Sequence, residues 1–68
     1  MNYLTSDPTG YFLWDNEPMW SRTDNRWWLA SADRKEITQS EAERMMHRKL
    51  HTKECIDLKT KASTIICM

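Results

Sequence analysis

"YFLWDNEPMWSRTDNRWWLA", residues 11–30, holds all four tryptophans of a 68-residue chain, its phenylalanine and one of its two tyrosines. Three aromatic runs, YFLW (11–14), MWSR (19–22) and RWWLA (26–30), are punctuated by DNEP (15–18) and TDN (23–25). β-Formers separated by Asn, Asp and Pro predict an antiparallel meander. Asn25 can supply the left-handed residue that ends a three-residue hairpin loop, where glycine is the usual choice.

Loop lengths then set the register. A loop over 23–25 opposes Arg22 to Arg26, Ser21 to Trp27, Trp20 to Trp28 and Met19 to Leu29. A loop over 15–18 opposes Trp14 to Met19, Leu13 to Trp20 and Phe12 to Ser21. Alternate residues share a face. Phe12, Trp14, Met19, Ser21, Trp27 and Leu29 form an uncharged face, the expected core. Tyr11, Leu13, Trp20, Arg22, Arg26 and Trp28 form the other, on which two tryptophans sit beside two arginines.

One helix covers one face of such a sheet. Two solvated tryptophans would forgo several kcal/mol at about 25 cal/mol per Å². A cover is therefore expected: the N-terminal segment, the TIICM tail, a second copy of the chain or another protein. Trp, Tyr and Arg are the residue types enriched at interface hot spots. The six residues of this second face are accordingly the predicted partner surface.

The flanks complete the outline. TSDPTG (5–10) is a run of turn formers and reads as a loop within an N-terminal segment, 1–10. ITQSEAERMMHRKLH predicts a helix over 38–52, with capping boxes at Thr38/Glu41 and Ser40/Glu43. Ala42, Met45, Met46 and Leu50 would make its apolar stripe. In 54–68, CIDL and TIIC around KTKA suit a C-terminal strand or hairpin, with a short helix as the alternative.

Charge and cysteine content narrow the function classes. Ten basic and ten acidic side chains cancel. Residues 1–33 carry two basic against five acidic groups, net −3, and residues 34–68 carry eight against five, net +3. A balanced chain has no general pull toward nucleic acid or anionic membrane, although its second half can hold a local basic patch. No signal peptide or membrane-length apolar run appears. The expectation is a cytoplasmic protein whose two cysteines, Cys55 and Cys67, stay reduced.

The sites that chemistry would need are poorly represented. His47, His51 and Cys55 recur every four residues, a weak metal-ligand pattern without the short Cys pairs of zinc sites. There is no phosphate-binding glycine loop and no nucleophile elbow, and neither an enzyme nor a cofactor is expected. Arg44, Arg48, Lys49 and Lys53 could contact phosphates while tryptophans stack bases.

The sequence thus predicts a single α+β domain over residues 1–68. It contains a three-stranded antiparallel β-meander (11–30) packed on one amphipathic helix (38–52), with a C-terminal strand or hairpin (54–68). The leading functional expectation is a non-enzymatic protein-binding module that modulates or inhibits a larger protein. Size and composition fit the small accessory proteins carried by phages or mobile elements. Nucleic-acid binding through the basic helix and a self-associating homodimer are the alternatives, and no membrane association is expected.

Overall fold

The computed structural model describes residues 1–30 and 33–67. Among the described residues, seven strands and one helix follow in the order β1 (Tyr3–Asp7), β2 (Gly10–Trp14), β3 (Met19–Ser21), β4 (Arg26–Trp28), β5 (Arg34–Ile37), α1 (Gln39–Met46), β6 (Glu54–Asp57) and β7 (Ser63–Ile65). The fold is α+β, but its main sheet is not the expected three-stranded meander. Five strands run in the order β5-β2-β1-β6-β7, all antiparallel, and β3 pairs with β4 in a separate two-stranded sheet.

The segment read as a loop supplies the central strand. Thr5, Ser6 and Asp7 are turn formers by composition, yet all three are buried. Each finds a distant partner for its polar atom, which removes the usual penalty. Thr5 Oγ1 accepts the Trp14 indole N–H at 2.8 Å, and the Ser6 hydroxyl donates to the Thr52 carbonyl at 3.4 Å. Asp7 Oδ2 accepts the Trp27 backbone N–H at 3.0 Å, while Oδ1 accepts from Thr9. The turn itself is confined to Pro8 and Thr9, since Asp7 pairs with Gly10. Gly10 has φ +138, a conformation closed to side-chain-bearing residues.

Strand alternation gives the sheet two buried faces. Leu4, Tyr11, Leu13, Ile37 and Ile56 point to one side, where Ala42 and Met46 of α1 cover them together with Leu50 and Leu58. Phe12, Trp14 and Cys55 point to the other, where Trp27, Trp20, Leu29, Tyr3 and Ile66 cover them. The helix therefore lies on the Tyr11/Leu13 face, opposite to the expectation. The β3–β4 hairpin folds back as a third layer over Phe12 and Trp14. Arg34 of edge strand β5 closes the rim, its guanidinium 4.3 Å from the Phe12 ring centre and 5.4 Å from that of Trp14.

The hairpin register is one residue off the expected one. Ser21 pairs with Arg26, Trp20 with Trp27 and Met19 with Trp28, leaving a four-residue loop over 22–25. Ser21 Oγ accepts the Asp24 N–H at 3.2 Å, which lets the extra residue join the turn. Asn25 does take the left-handed conformation, at φ 55. A shift of one residue exchanges faces between the strands. Trp20 and Trp27 consequently share the inner face, with Met19 and Trp28 on the outer one.

Helix α1 starts at the Thr38/Glu41 capping box, in which Thr38 Oγ1 accepts the Glu41 N–H and Glu41 Oε1 accepts the Thr38 N–H, both at 3.1 Å. The Thr38 N–H and the Thr38 hydroxyl, both donating to Glu41 Oε1, hold the Glu41 carboxyl below its ordinary range. Ser40 lies inside the helix instead of capping it. The helix stops at Met46, short of the expected 52, because His47 is left-handed at φ 57 and Arg48 N–H closes onto the Glu43 carbonyl. Leu50 still reaches the core from the following segment. The tail forms the β6–β7 hairpin, with Asp57 Oδ1 accepting the Lys59 N–H at 2.9 Å in its turn. Met68 lies outside the described residues.

Candidate protein-binding face

The outer face of the β3–β4 hairpin follows directly from its register. Directly opposed residues in an antiparallel pair point the same way, so Met19, Ser21, Arg26 and Trp28 share this surface. Met19 is 70% exposed and Trp28 46% exposed, side by side as a cross-strand pair. Arg26 is half-buried beside them, 3.7 Å from Asp24 of the loop. Beneath them Trp20 and Trp27 meet edge to face, ring centres 5.4 Å apart at 74°. The exposed pair is thus backed by an aromatic layer of buried Trp27 and half-buried Trp20.

The six residues expected on one face are divided among four places. Tyr11 and Leu13 lie on the helix side of the main sheet. Trp20 faces inward against Trp27, with the Lys53 ammonium 5.6 Å from its ring centre. Arg22 is exposed in the hairpin loop, and Arg26 and Trp28 occupy the outer surface. Met19, assigned to the core by the three-residue loop, joins Trp28 instead. The missing signal was the competition between three- and four-residue loops, since Ser21 can cap the longer one.

The basic set is divided as well. Arg48 donates to both oxygens of Glu54, from Nη1 at 3.2 Å and Nη2 at 2.8 Å. Lys53 lies on the hairpin side, beside Trp20. Arg44 and Lys49 are exposed. Glu54, whose side chain is 1% exposed, also accepts the His51 backbone N–H at 3.0 Å and the Ser63 hydroxyl. Burial alone would raise its carboxyl, but the bonds from Arg48, Ser63 and His51 outweigh that and hold its pKa at about 2.

The His47/His51/Cys55 series does not converge. His47 terminates the helix, and Cys55 points from β6 to the opposite face of the sheet. Among the described residues, no three His, Cys, Asp or Glu side chains are placed to hold a metal ion. Burial, reinforced by Glu17, Asp57 and Glu54, pushes the Cys55 thiol up to about 12, so it stays protonated at neutral pH. Cys67 is exposed, and both cysteines are free thiols. No described helix is long and apolar enough to cross a membrane.

No family model, curated protein or solved structure matches this chain.

Proposed function

We propose that this chain is a non-enzymatic protein-binding module that docks a larger protein on the outer face of its β3–β4 hairpin and thereby modulates or inhibits it. The observation that carries this reading is the Met19–Trp28 pair. The fold buries or half-buries Trp14, Trp20 and Trp27, but leaves Trp28 in solvent beside a methionine that is more exposed still. A tryptophan, a polarizable methionine and Arg26 on a short hairpin make a compact anchor of the kind that dominates protein interfaces. A small accessory protein of a phage or mobile element would act in this way, by occupying a surface of its target.

The test compares Trp28→Ser and Met19→Ser with the unmodified chain. Both changes lie on the outer surface and should shift unfolding by less than about 1 kcal/mol. Affinity capture from native lysate should recover a partner with the unmodified chain and lose it with either variant. Retention of the same partner by both variants would sink the proposal. Binding that instead falls steeply with salt and depends on Arg44 and Lys49 would favour nucleic acid.

A further inference from the structure

We propose that β7 is a self-complementary edge at which a second copy of this chain adds antiparallel, about a two-fold axis through Thr64, joining the two main sheets into one. This surface is separate from the hairpin face and does not depend on its function.

The backbone pattern carries the argument. Asp57 N–H donates to the Ala62 carbonyl at 2.8 Å, and Ile66 N–H donates to the Lys53 carbonyl at 3.0 Å. With Thr64 opposite Cys55, these bonds turn the backbone groups of residues 62, 64 and 66 toward β6. Those of Ser63 and Ile65 therefore point away from the sheet. Among the described residues, the one side chain bonded to them is the Cys67 thiol, a weak donor 3.9 Å from the Ile65 carbonyl.

Two such edges fit each other. Rotation about Thr64 sets Ser63 against Ile65 of the second copy and Ile65 against its Ser63. Each pair exchanges two N–H···O=C bonds, four in all, without disturbing the β6–β7 ladder. Thr64 meets Thr64, a favourable cross-strand pair. Lys61 falls opposite Cys67 of the other copy, so no like charges oppose each other in this register.

The two edges of the main sheet are protected very differently. β5 sets Arg34, Lys35 and Glu36 along its edge, as proteins do to prevent pairing. Residues 62–67 carry no charge, and Ile65 is 42% exposed beside the outward-facing groups. The contrast selects β7, and its three-residue length limits the association to a weak, reversible one.

Sedimentation equilibrium over a low-micromolar to millimolar series should show a reversible monomer–dimer equilibrium. Amide hydrogen exchange should show Ser63 and Ile65 gaining protection with concentration, while Thr64 is protected throughout. Ile65→Pro removes an outward N–H but no bond of the β6–β7 ladder, and should abolish dimerisation in a folded monomer. Ile65→Lys, which gives β7 the protection that β5 has, should do the same should the proline variant fail to fold. Ile65→Ala keeps the N–H and should still dimerise. A monomer at millimolar concentration, a dimer that survives these charge and proline changes, or a dimer lost in Trp28→Ser would overturn the proposal.

Discussion

The two faces of the main sheet are closed by different means. On the helix side, aliphatic side chains meet α1, and a deeply buried charge, Glu54, has hydrogen bonds to a guanidinium, a hydroxyl and a backbone amide. On the hairpin side, aromatic side chains dominate, and the buried indole N–H groups of Trp20 and Trp27 find no partner among the described residues. Each such donor costs about 1–3 kcal/mol. Both sides hold a buried carboxylate with partners, Glu54 on the helix side and Asp7 on the hairpin side, where Thr5 also accepts the Trp14 indole N–H. The hairpin side differs in carrying two unmet donors, which its aromatic area must outweigh.

Trp27→Ala tests that dependence most severely. It empties the centre of the hairpin-side core and should destabilise the fold by about 3–5 kcal/mol in denaturant unfolding followed by circular dichroism. At about 0.05–0.15 kcal/mol per residue, 68 residues hold roughly 3–10 kcal/mol, so a large share of the margin would go. A loss under about 1 kcal/mol would mean that the hairpin is an appendage and not a layer.

On the helix side, Arg48→Met leaves Glu54 buried without its cation. The expected cost at pH 7 is about 2–3 kcal/mol, below that of a fully buried pair because the Arg48 side chain is 43% exposed. The pH dependence should change with it. Glu54 titrates at about 2 in the folded chain against an ordinary 4.5, so its contribution is present above 4.5 and disappears as pH falls toward 2. Equilibrium unfolding across that window should show a loss of roughly 3 kcal/mol for the unmodified chain, at about 1.4 kcal/mol per unit, and a clearly smaller one for Arg48→Met. Equal slopes would refute the ion pair as the cause.

The smallest effect sharpens the contrast. Trp20→Phe removes an unmet donor together with part of the ring, and the two changes oppose each other. Its stability should stay within about 1 kcal/mol of the original, whereas removal of a partnered donor would cost more. A loss of about 3 kcal/mol would show that the Trp20 N–H does have a partner in solution.

What the sequence revealed was local. The aromatic runs of β2, β3 and β4, the Thr38 cap, the left-handed Asn25 and the β6–β7 hairpin can all be read from residues a few positions apart. β1 could not, because Thr5, Ser6 and Asp7 act as turn formers until Trp14, Thr52 and Trp27 arrive to bond them. β5 was hidden for a related reason: Arg34, Lys35 and Glu36 look like solvated loop, yet they form an edge strand whose backbone pairs with β2. The expected binding face mixes residues from both sides of the molecule, because it requires β2 to pair with β3, whereas β2 pairs with β1 and β5. Trp28 survives as the exposed tryptophan, but its neighbour is Met19, and Trp20 lies inside.

The central place of β1 also imposes an order in time. It meets β2 within the first fourteen residues, but its other side waits for β6, which begins at residue 54. During synthesis the first hairpin must persist with one edge unpaired until most of the chain exists. Pairing so distant in sequence makes closure of the sheet a late event, and slower than formation of the helix that covers it. A nascent or truncated chain lacking β6 would present the open side of β1, with Leu4 missing its Ile56 neighbour, as a ready template for aggregation.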